Sequence, residues 1–304
     1  MGTLGNGLIT FTLAIFLVAT SIYGDLPMPS HYLELLRPEH AYLFGFIQAD
    51  GHLYQNPKLP NKGKLQIELS ARDVDILQKF NAIIPVKTSI KSRVRTTNFS
   101  NGELKQTYTM TACDMAFRQE LEALGIPHGR KSNTIAPPAV PFSEADYYRG
   151  IIDGDGSLGI TAGNLPFVSL VTTSDQLMSG YLSFIKKSTG CTITANRNKR
   201  DGVYNIMITR EGAQALAKVL YYEGCLALDR KIHKSVEVTG WVRPENSLKR
   251  EFEMKKWSKE EDTYILLHPL NDSCHVLKRT PQSISMRLWR LKKKGASGND
   301  LSKH

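Results

Sequence analysis

Two strings decide the fold: Leu43-Phe-Gly-Phe-Ile-Gln-Ala-Asp50-Gly51 and Tyr148-Arg-Gly-Ile-Ile-Asp-Gly-Asp155-Gly156. Each closes an apolar run on a carboxylate followed by glycine, and each has a glycine five residues before that carboxylate, Gly45 before Asp50 and Gly150 before Asp155. Pro38 and Glu39 suit a first helical turn ahead of Tyr42 to Ile47, and Ser143-Glu-Ala-Asp146 reads as a capping box. A mid-helix glycine costs about 1 kcal/mol relative to alanine, so a pair of them implies close backbone approach. Asp50 and Asp155 then fall at helix C-termini, where the macrodipole disfavours negative charge. If the two ends meet, like charges also repel, and a divalent cation resolves both problems.

The segments that follow repeat as well. Lys64-Leu-Gln-Ile-Glu-Leu-Ser70 alternates as a strand before a helix opened by Asp73, over Val74 to Ile84. Phe167 to Ser174 is its counterpart, before a helix opened by Asp175, over Gln176 to Lys187. Two hairpins are predicted next, Thr88 to Thr111 turning at Asn101-Gly102 and Cys191 to Thr209 turning at Asp201-Gly202. Helices over Asp114 to Leu124 and Glu211 to Tyr222 lead to Lys131 and Lys231, which lie 81 and 76 residues after their aspartates.

Both motifs resemble the LAGLIDADG homing endonucleases in their single-chain, two-repeat form, and the resemblance spans roughly Tyr32 to Val242. Leu43, Gly45, Ile47, Ala49, Asp50 and Gly51 match the first motif, with Phe44 and Phe46 as apolar variants and Gln48 in place of the first acid. Gly150, Ile151, Ile152, Asp153, Asp155 and Gly156 match the second, while Arg149 and Gly154 stand where alanine is commoner. The resemblance implies an α+β fold of two pseudo-symmetric αββαββα repeats with saddle-shaped antiparallel sheets, residues 31–137 and 138–243.

It also implies site-specific cleavage of double-stranded DNA with Mg²⁺ (or Mn²⁺), held by Asp50 and Asp155 and the backbone oxygens of Ala49 and Gly154. Gly45 and Gly150 would form the helix interface. Lys131 and Lys231 match the family's basic residues near the catalytic centre; simple phosphate anchoring is their alternative role. Gln48 and Asp153 are expected to cap or pack the helix ends. A monomer with no obligate protein partner is implied. Two other readings of the same fold are an RNA maturase assisting a group I intron RNA and a DNA-binding regulator that no longer cuts. Retention of both acids argues against pure binding, because a buried pair of carboxylates has no benefit without metal. An intein would need a splicing Cys or Ser at its start and a His-Asn ending, against Met1-Gly2 and Lys303-His304 here.

The hairpins are basic. Lys91, Arg93, Arg95 and Lys105 populate the first, and Arg197, Lys199 and Arg200 the second. Alternate strand residues share a face, so such rows suit a major groove, arginine reading guanine edges and lysine holding phosphates. A solvated edge hairpin carries basic residues too.

Composition agrees. The 304 residues carry a formal charge of +10 and are 41% apolar, enough for a sizeable core beneath a basic surface. Residues 31–243 hold 26 basic and 20 acidic side chains, and residues 244–304 hold 13 and 8. Cys113, Cys191, Cys225 and Cys274 fit neither a zinc motif nor a disulfide framework and are read as reduced thiols of an intracellular protein, cytoplasmic or in an organelle matrix.

After a linker, 244–256, residues 257–304 read as a separate module resembling a Myb/SANT-like helix-turn-helix. Ser258 and Glu261 form a capping box, Thr280 and Pro281 open a recognition helix to Lys293, and Trp257 and Trp289 are expected in its core. Arg287 and Arg290 would face DNA. Residues 1–30 form an apolar extension of unassigned role: Leu8 to Tyr23 is uncharged over 16 residues, short of the ~20 that span a bilayer, with no basic run before it.

Overall fold

The computed structural model describes residues 32–96, 104–244 and 256–298. The chain divides into two compact units, residues 1–243 and 244–304. The 1–30 extension, the Asn101-Gly102 turn, the Arg95 side chain and nearly all of the 244–256 linker lie outside the described residues.

The first repeat runs α1 (Pro38–Asp50), β1 (Gly51–Asn56), β2 (Leu59–Ser70), a 3₁₀ turn (Ala71–Asp73), α2 (Val74–Ile83), β3 (Thr88–Thr96), β4 (Leu104–Ala112) and α3 (Met115–Ala123). The second runs α4 (Glu144–Asp155), β5 (Gly156–Ile160), β6 (Pro166–Thr172), α5 (Asp175–Thr189), β7 (Tyr204–Thr209), α6 (Arg210–Leu220) and α7 (Asp229–Thr239). Antiparallel pairing orders the sheets β1-β2-β4-β3 and β5-β6-β7.

Helices α1 and α4 are buried on all sides, from His40 to Gln48 and from Asp146 to Asp153. They therefore lack the solvated polar face of a surface helix. Their backbones touch. A Cβ on Gly45 would sit 2.2 Å from the Tyr147 carbonyl oxygen, and one on Gly150 would sit 2.2 Å from that of Tyr42. These two approaches are one crossing seen from each repeat. The aromatic shell is doubled in the same way: Phe46 meets Phe80 of α2 edge-on at 5.1 Å, and Tyr148 stacks on Phe184 of α5 at 4.5 Å. Full burial of each such ring contributes roughly 2–3 kcal/mol.

Two expectations change, and one helix is added. The predicted second hairpin keeps only β7; its partner is reduced to a single bridge between Arg197 and Tyr204, and the second sheet has three strands among the described residues. The reason lies in Arg197, which folds back onto the start of α5 instead of extending a strand. The capping box at Ser143 does not form: the Ser143 hydroxyl donates to Asp146, whose carboxylate is turned inward to the buried Arg149. Helix α7 has no counterpart in the sequence reading. Its first turn is tied to the other repeat by Arg230–Asp73 at 2.9 Å and Lys79–Asp229 at 3.2 Å.

The second unit is a three-helix module: α8 (Lys259–Leu267), α9 (Leu270–Leu277), which the sequence pattern does not announce, and α10 (Pro281–Gly298). The Ser258–Glu261 capping box is present, and Thr280 accepts from the Ser283 amide at 3.2 Å. Ile265 and Ile284 fill its centre. Trp289, expected inside, is 58% exposed. Its place is taken by cations on Trp257: Arg279 lies 4.0 Å from that ring and pairs with Glu261, and Arg287 lies 5.8 Å away and pairs with Asp262. Arg287, expected to face DNA, is thus paired within the module, its side chain still partly exposed.

Gly45→Ala and Gly150→Ala force a methyl into a carbonyl, and each is expected to destabilise the chain by about 3 kcal/mol, at the upper end for overpacking. Gly163→Ala is the control, its nearest atom being 3.8 Å away. Thermal unfolding of the three variants checks this; a crossing that tolerates either methyl would show that the two backbones do not meet.

Candidate active site

Because α1 and α4 cross at touching distance, their C-terminal ends arrive at one place. Gly154 lies against Ala49, where a second methyl would come within 2.3 Å of the first, and that same point is 3.4 Å from Asp50 Oδ2. Only one of the two helices has room for a side chain there, which accounts for alanine in one motif and glycine in the other. Asp50 and Asp155 follow immediately. Both carboxylates reach solvent, contrary to the expectation that the motif acids are buried, although neighbouring protein desolvates each of them. Ala49, Asp155 and Lys131 line a cleft of about 250 Å³ together with Val171, Thr173 and Val203.

The electrostatics follow from this crowding. Desolvation, then repulsion from Asp155, raises the Asp50 carboxyl from 3.8 to about 6, against the pull of Lys131, Arg230 and Lys231. Burial raises Asp155 as well, offset by Lys131 and Lys231. Lys131 Nζ donates to the Ala49 carbonyl at 2.7 Å, and Lys231 Nζ donates to those of Ile152 and Gly156, both at 2.8 Å. Each lysine therefore satisfies carbonyls at the end of one crossing helix and places a cation where the macrodipole is negative. Burial lowers both ammonium pKa values, that of Lys231 to about 8.

Gln48 and Asp153 pack the helix ends as expected, by a reciprocal device. Tyr147 on α4 donates its hydroxyl to Gln48 at 2.6 Å, and Tyr42 on α1 donates to Asp153 at 2.7 Å. Asp153 also accepts from Tyr221 at 2.6 Å and from the Leu228 amide at 2.8 Å, which fixes the start of α7 and with it Lys231. Arg149 is enclosed too, donating to the carbonyls of Leu226 and Leu220 and pairing with Asp146.

The donor set fits a divalent cation that is completed by substrate. Among the described residues no cluster of three or more His, Cys, Asp or Glu side chains is present. Two carboxylates whose charged forms are penalised are oxygen donors of the kind that suits Mg²⁺, which keeps much of its water shell; the Ala49 carbonyl, expected as a further ligand, accepts from Lys131.

Above the site, cross-strand register settles which side chains share a face. In the first sheet one face carries His52, Tyr54, Lys64, Gln66, Glu68, Ser89, Lys91, Arg93, Lys105, Thr109 and Thr111, while Leu53, Leu65, Ile67 and Met110 point to the core. Lys91, Arg93 and Lys105 are exposed there, as predicted. His52, Tyr54 and Gln66 were missed, although the alternation around buried Leu53 was the signal. In the second repeat the predicted basic row is not presented as a row. Arg197 donates to the Thr173 and Gly202 carbonyls, pairs with Asp175 at 3.1 Å and lies over the Tyr204 ring; Arg200 pairs with Asp201 at 2.9 Å. Lys199 is exposed, and so is Arg290 on α10.

No protein-family model matches the chain, and no curated protein matches it. Solved structures are similar. The homing endonuclease I-WcaI bound to its DNA recognition sequence is 12% identical, with 77% of this chain and 95% of that one covered at a TM-score of 0.46. Mesophilic variants of the homing endonuclease I-DmoI are 13% identical, with 66% and 97% covered at 0.44. The I-SmaMI LAGLIDADG homing endonuclease bound to cleaved DNA is 12% identical, with 67% and 88% covered at 0.41. At such identities no residue role passes from them to this chain.

The Asp50 shift gives a stability test. An acid with a folded-state pKa of about 6 against an ordinary 3.8 penalises the fold once ionised, so its cost is absent below about pH 4 and complete above pH 6. In chelator-treated protein Asp50→Asn is expected to raise Tm at pH 7.5 and to leave it unchanged at pH 4. Melting curves across that range check it; a variant less stable than wild type at pH 7.5 would contradict it.

Proposed function

We propose that this chain is a site-specific endonuclease of duplex DNA, of the LAGLIDADG homing class, hydrolysing phosphodiesters with divalent metal. The observation that carries the reading is the convergence of Asp50, Asp155 and Lys131 at the crossing of two pseudo-symmetric helices. The polar, basic face of a four-stranded sheet supports it.

Asp50 and Asp155 would hold the ion with the Ala49 and Gly154 carbonyls. Bound Mg²⁺ or Mn²⁺ would supply Lewis-acid charge to a phosphoryl oxygen and lower the pKa of a water. The remaining work is the protein's own. Lys131, within electrostatic reach of both acids, can donate to a non-bridging phosphate oxygen or an ordered water as charge builds there. Lys231 neutralises the end of α4 and, with Lys131, favours the ionised form of Asp155 against the effect of burial. The first sheet holds the duplex: Lys91 and Lys105 suit phosphates, and Arg93 the paired acceptors of a guanine edge. The three-helix module adds DNA contacts through the exposed side of α10, where Gln282, Met286, Trp289 and Arg290 are accessible.

Asp50→Asn and Asp155→Asn are each expected to abolish double-strand cleavage while specific binding stays within about threefold of wild type, since the sheet surfaces are untouched. Cleavage and gel-shift assays in Mg²⁺ check this; full cleavage by the double variant would remove these residues from the chemistry. Truncation after Arg243 is expected to weaken binding and flatten its salt dependence, the slope falling by about 0.9 for each phosphate that is no longer neutralised, without moving the cut. A folded truncation that is inactive on saturating DNA would contradict this division of labour.

A further inference from the structure

The groove faces of the two sheets differ in chemistry more than their shared topology suggests. Register places Ser157 and Gly159 of β5, Phe167, Ser169 and Val171 of β6, and Asn205, Met207 and Thr209 of β7 on one face, since Leu158, Val168, Leu170, Ile206 and Ile208 fill the core side. None of the eight is charged. The corresponding face of the first sheet carries Lys64, Lys91, Arg93, Lys105 and Glu68. Val171 and Met207 are large apolar residues that are each 46% exposed, on neighbouring strands of the second sheet. Val171 also lines the cleft that contains Asp155, so the apolar surface begins at the proposed cutting site and runs outward from it. Arg197, which the sequence placed on this face, is committed to Asp175 and Tyr204.

We infer that Val171 and Met207 read thymine methyl groups in the half of the target that lies under the second repeat, next to the cut. This rests on the endonuclease reading given above. The occupant is duplex DNA because the surface is continuous with the catalytic cleft, and because the pseudo-two-fold axis that pairs Gly45 with Gly150 relates this face to the basic face of the first sheet. In the major groove only thymine offers an apolar group, its C5 methyl, among hydrogen-bonding edges. An unbranched methionine adapts to irregular apolar surface, and a valine presents a fixed one. Asn205, exposed between them, suits the paired donor and acceptor of adenine. The chain thus reads an asymmetric target: hydrogen bonds to guanine-containing pairs under the first sheet, methyl contacts to thymine-containing pairs under the second.

The test begins with a randomised duplex library cleaved by the full chain in Mg²⁺, the cut ends sequenced. The half whose base preference shifts in a Lys91→Ala, Arg93→Ala variant lies under the first sheet. Binding of the selected duplex is then measured with thymine replaced by deoxyuracil, one half at a time. Burial of one methyl corresponds to roughly a fourfold change in affinity. Deoxyuracil under the second repeat is therefore expected to weaken wild-type binding about three- to fivefold for each methyl that is read. The loss is expected to disappear in a Val171→Ala, Met207→Ala variant, whose melting temperature checks that it folds. Specific cleavage of a target with no thymine preference in that half, or equal deoxyuracil sensitivity in wild type and variant, would overturn this inference and leave the endonuclease reading standing. Failure to cleave or bind any duplex in the library would overturn both.

Discussion

Two backbones touching at Gly45 and Gly150 set the rest of the structure. A side chain at either position would overlap the Tyr147 or Tyr42 carbonyl of the opposite helix. Because neither position carries one, α1 and α4 approach closely and their C-termini are brought to a common point. Everything chemical follows from that approach. Two acids come within electrostatic reach of each other, two dipole ends meet, and two lysines are drawn onto the terminal carbonyls. The raised pKa of Asp50 comes first from burial and then from the neighbouring Asp155.

The same crossing is where symmetry ends. Tyr147 and Tyr42 donate to Gln48 and Asp153 in matching geometry, but one acceptor is neutral and the other is an acid. The acid draws in Tyr221 and the Leu228 amide and so anchors a helix, α7, that the first repeat lacks. Arg149 adds a second buried charge in the same repeat, satisfied by two carbonyls and Asp146. Removing one partner of such a group leaves an uncompensated charge and is far more costly than the net value of the pair. Both repeats share the aromatic shell around the crossing, and the second adds buried polar contacts to it; their sheets differ as well, one basic and one apolar on the groove side.

Much of this was legible in the chain. The paired glycines announced a tight crossing, the terminal acids marked the helix ends that meet, and the resemblance singled out Lys131 and Lys231, whose contacts with the helix-end carbonyls the structure adds. The glycine and acid signals are local to each helix, so sequence carries them directly. What it concealed depends on partners distant in the chain. Arg197 reads as a basic strand residue until Asp175 and Tyr204 are seen to hold it. Arg287 reads as a free basic side chain until Asp262 is seen to pair with it, and Trp289 reads as core although it lies outside. Helix α7 was obscured because its reason for forming lies in Asp153 and Asp73, far earlier in the sequence.

The central claim is that Asp50 and Asp155 form one site and not two. Titration of Mn²⁺ into the protein–duplex complex, followed by electron paramagnetic resonance, measures this directly for wild type and for each single asparagine variant. If the acids share the ion, either substitution alone lowers Mn²⁺ affinity by at least about tenfold, the equivalent of 1.4 kcal/mol, and the double substitution costs less than the two losses combined. Undiminished Mn²⁺ binding after loss of either carboxylate, or two independent losses that simply add, would contradict it.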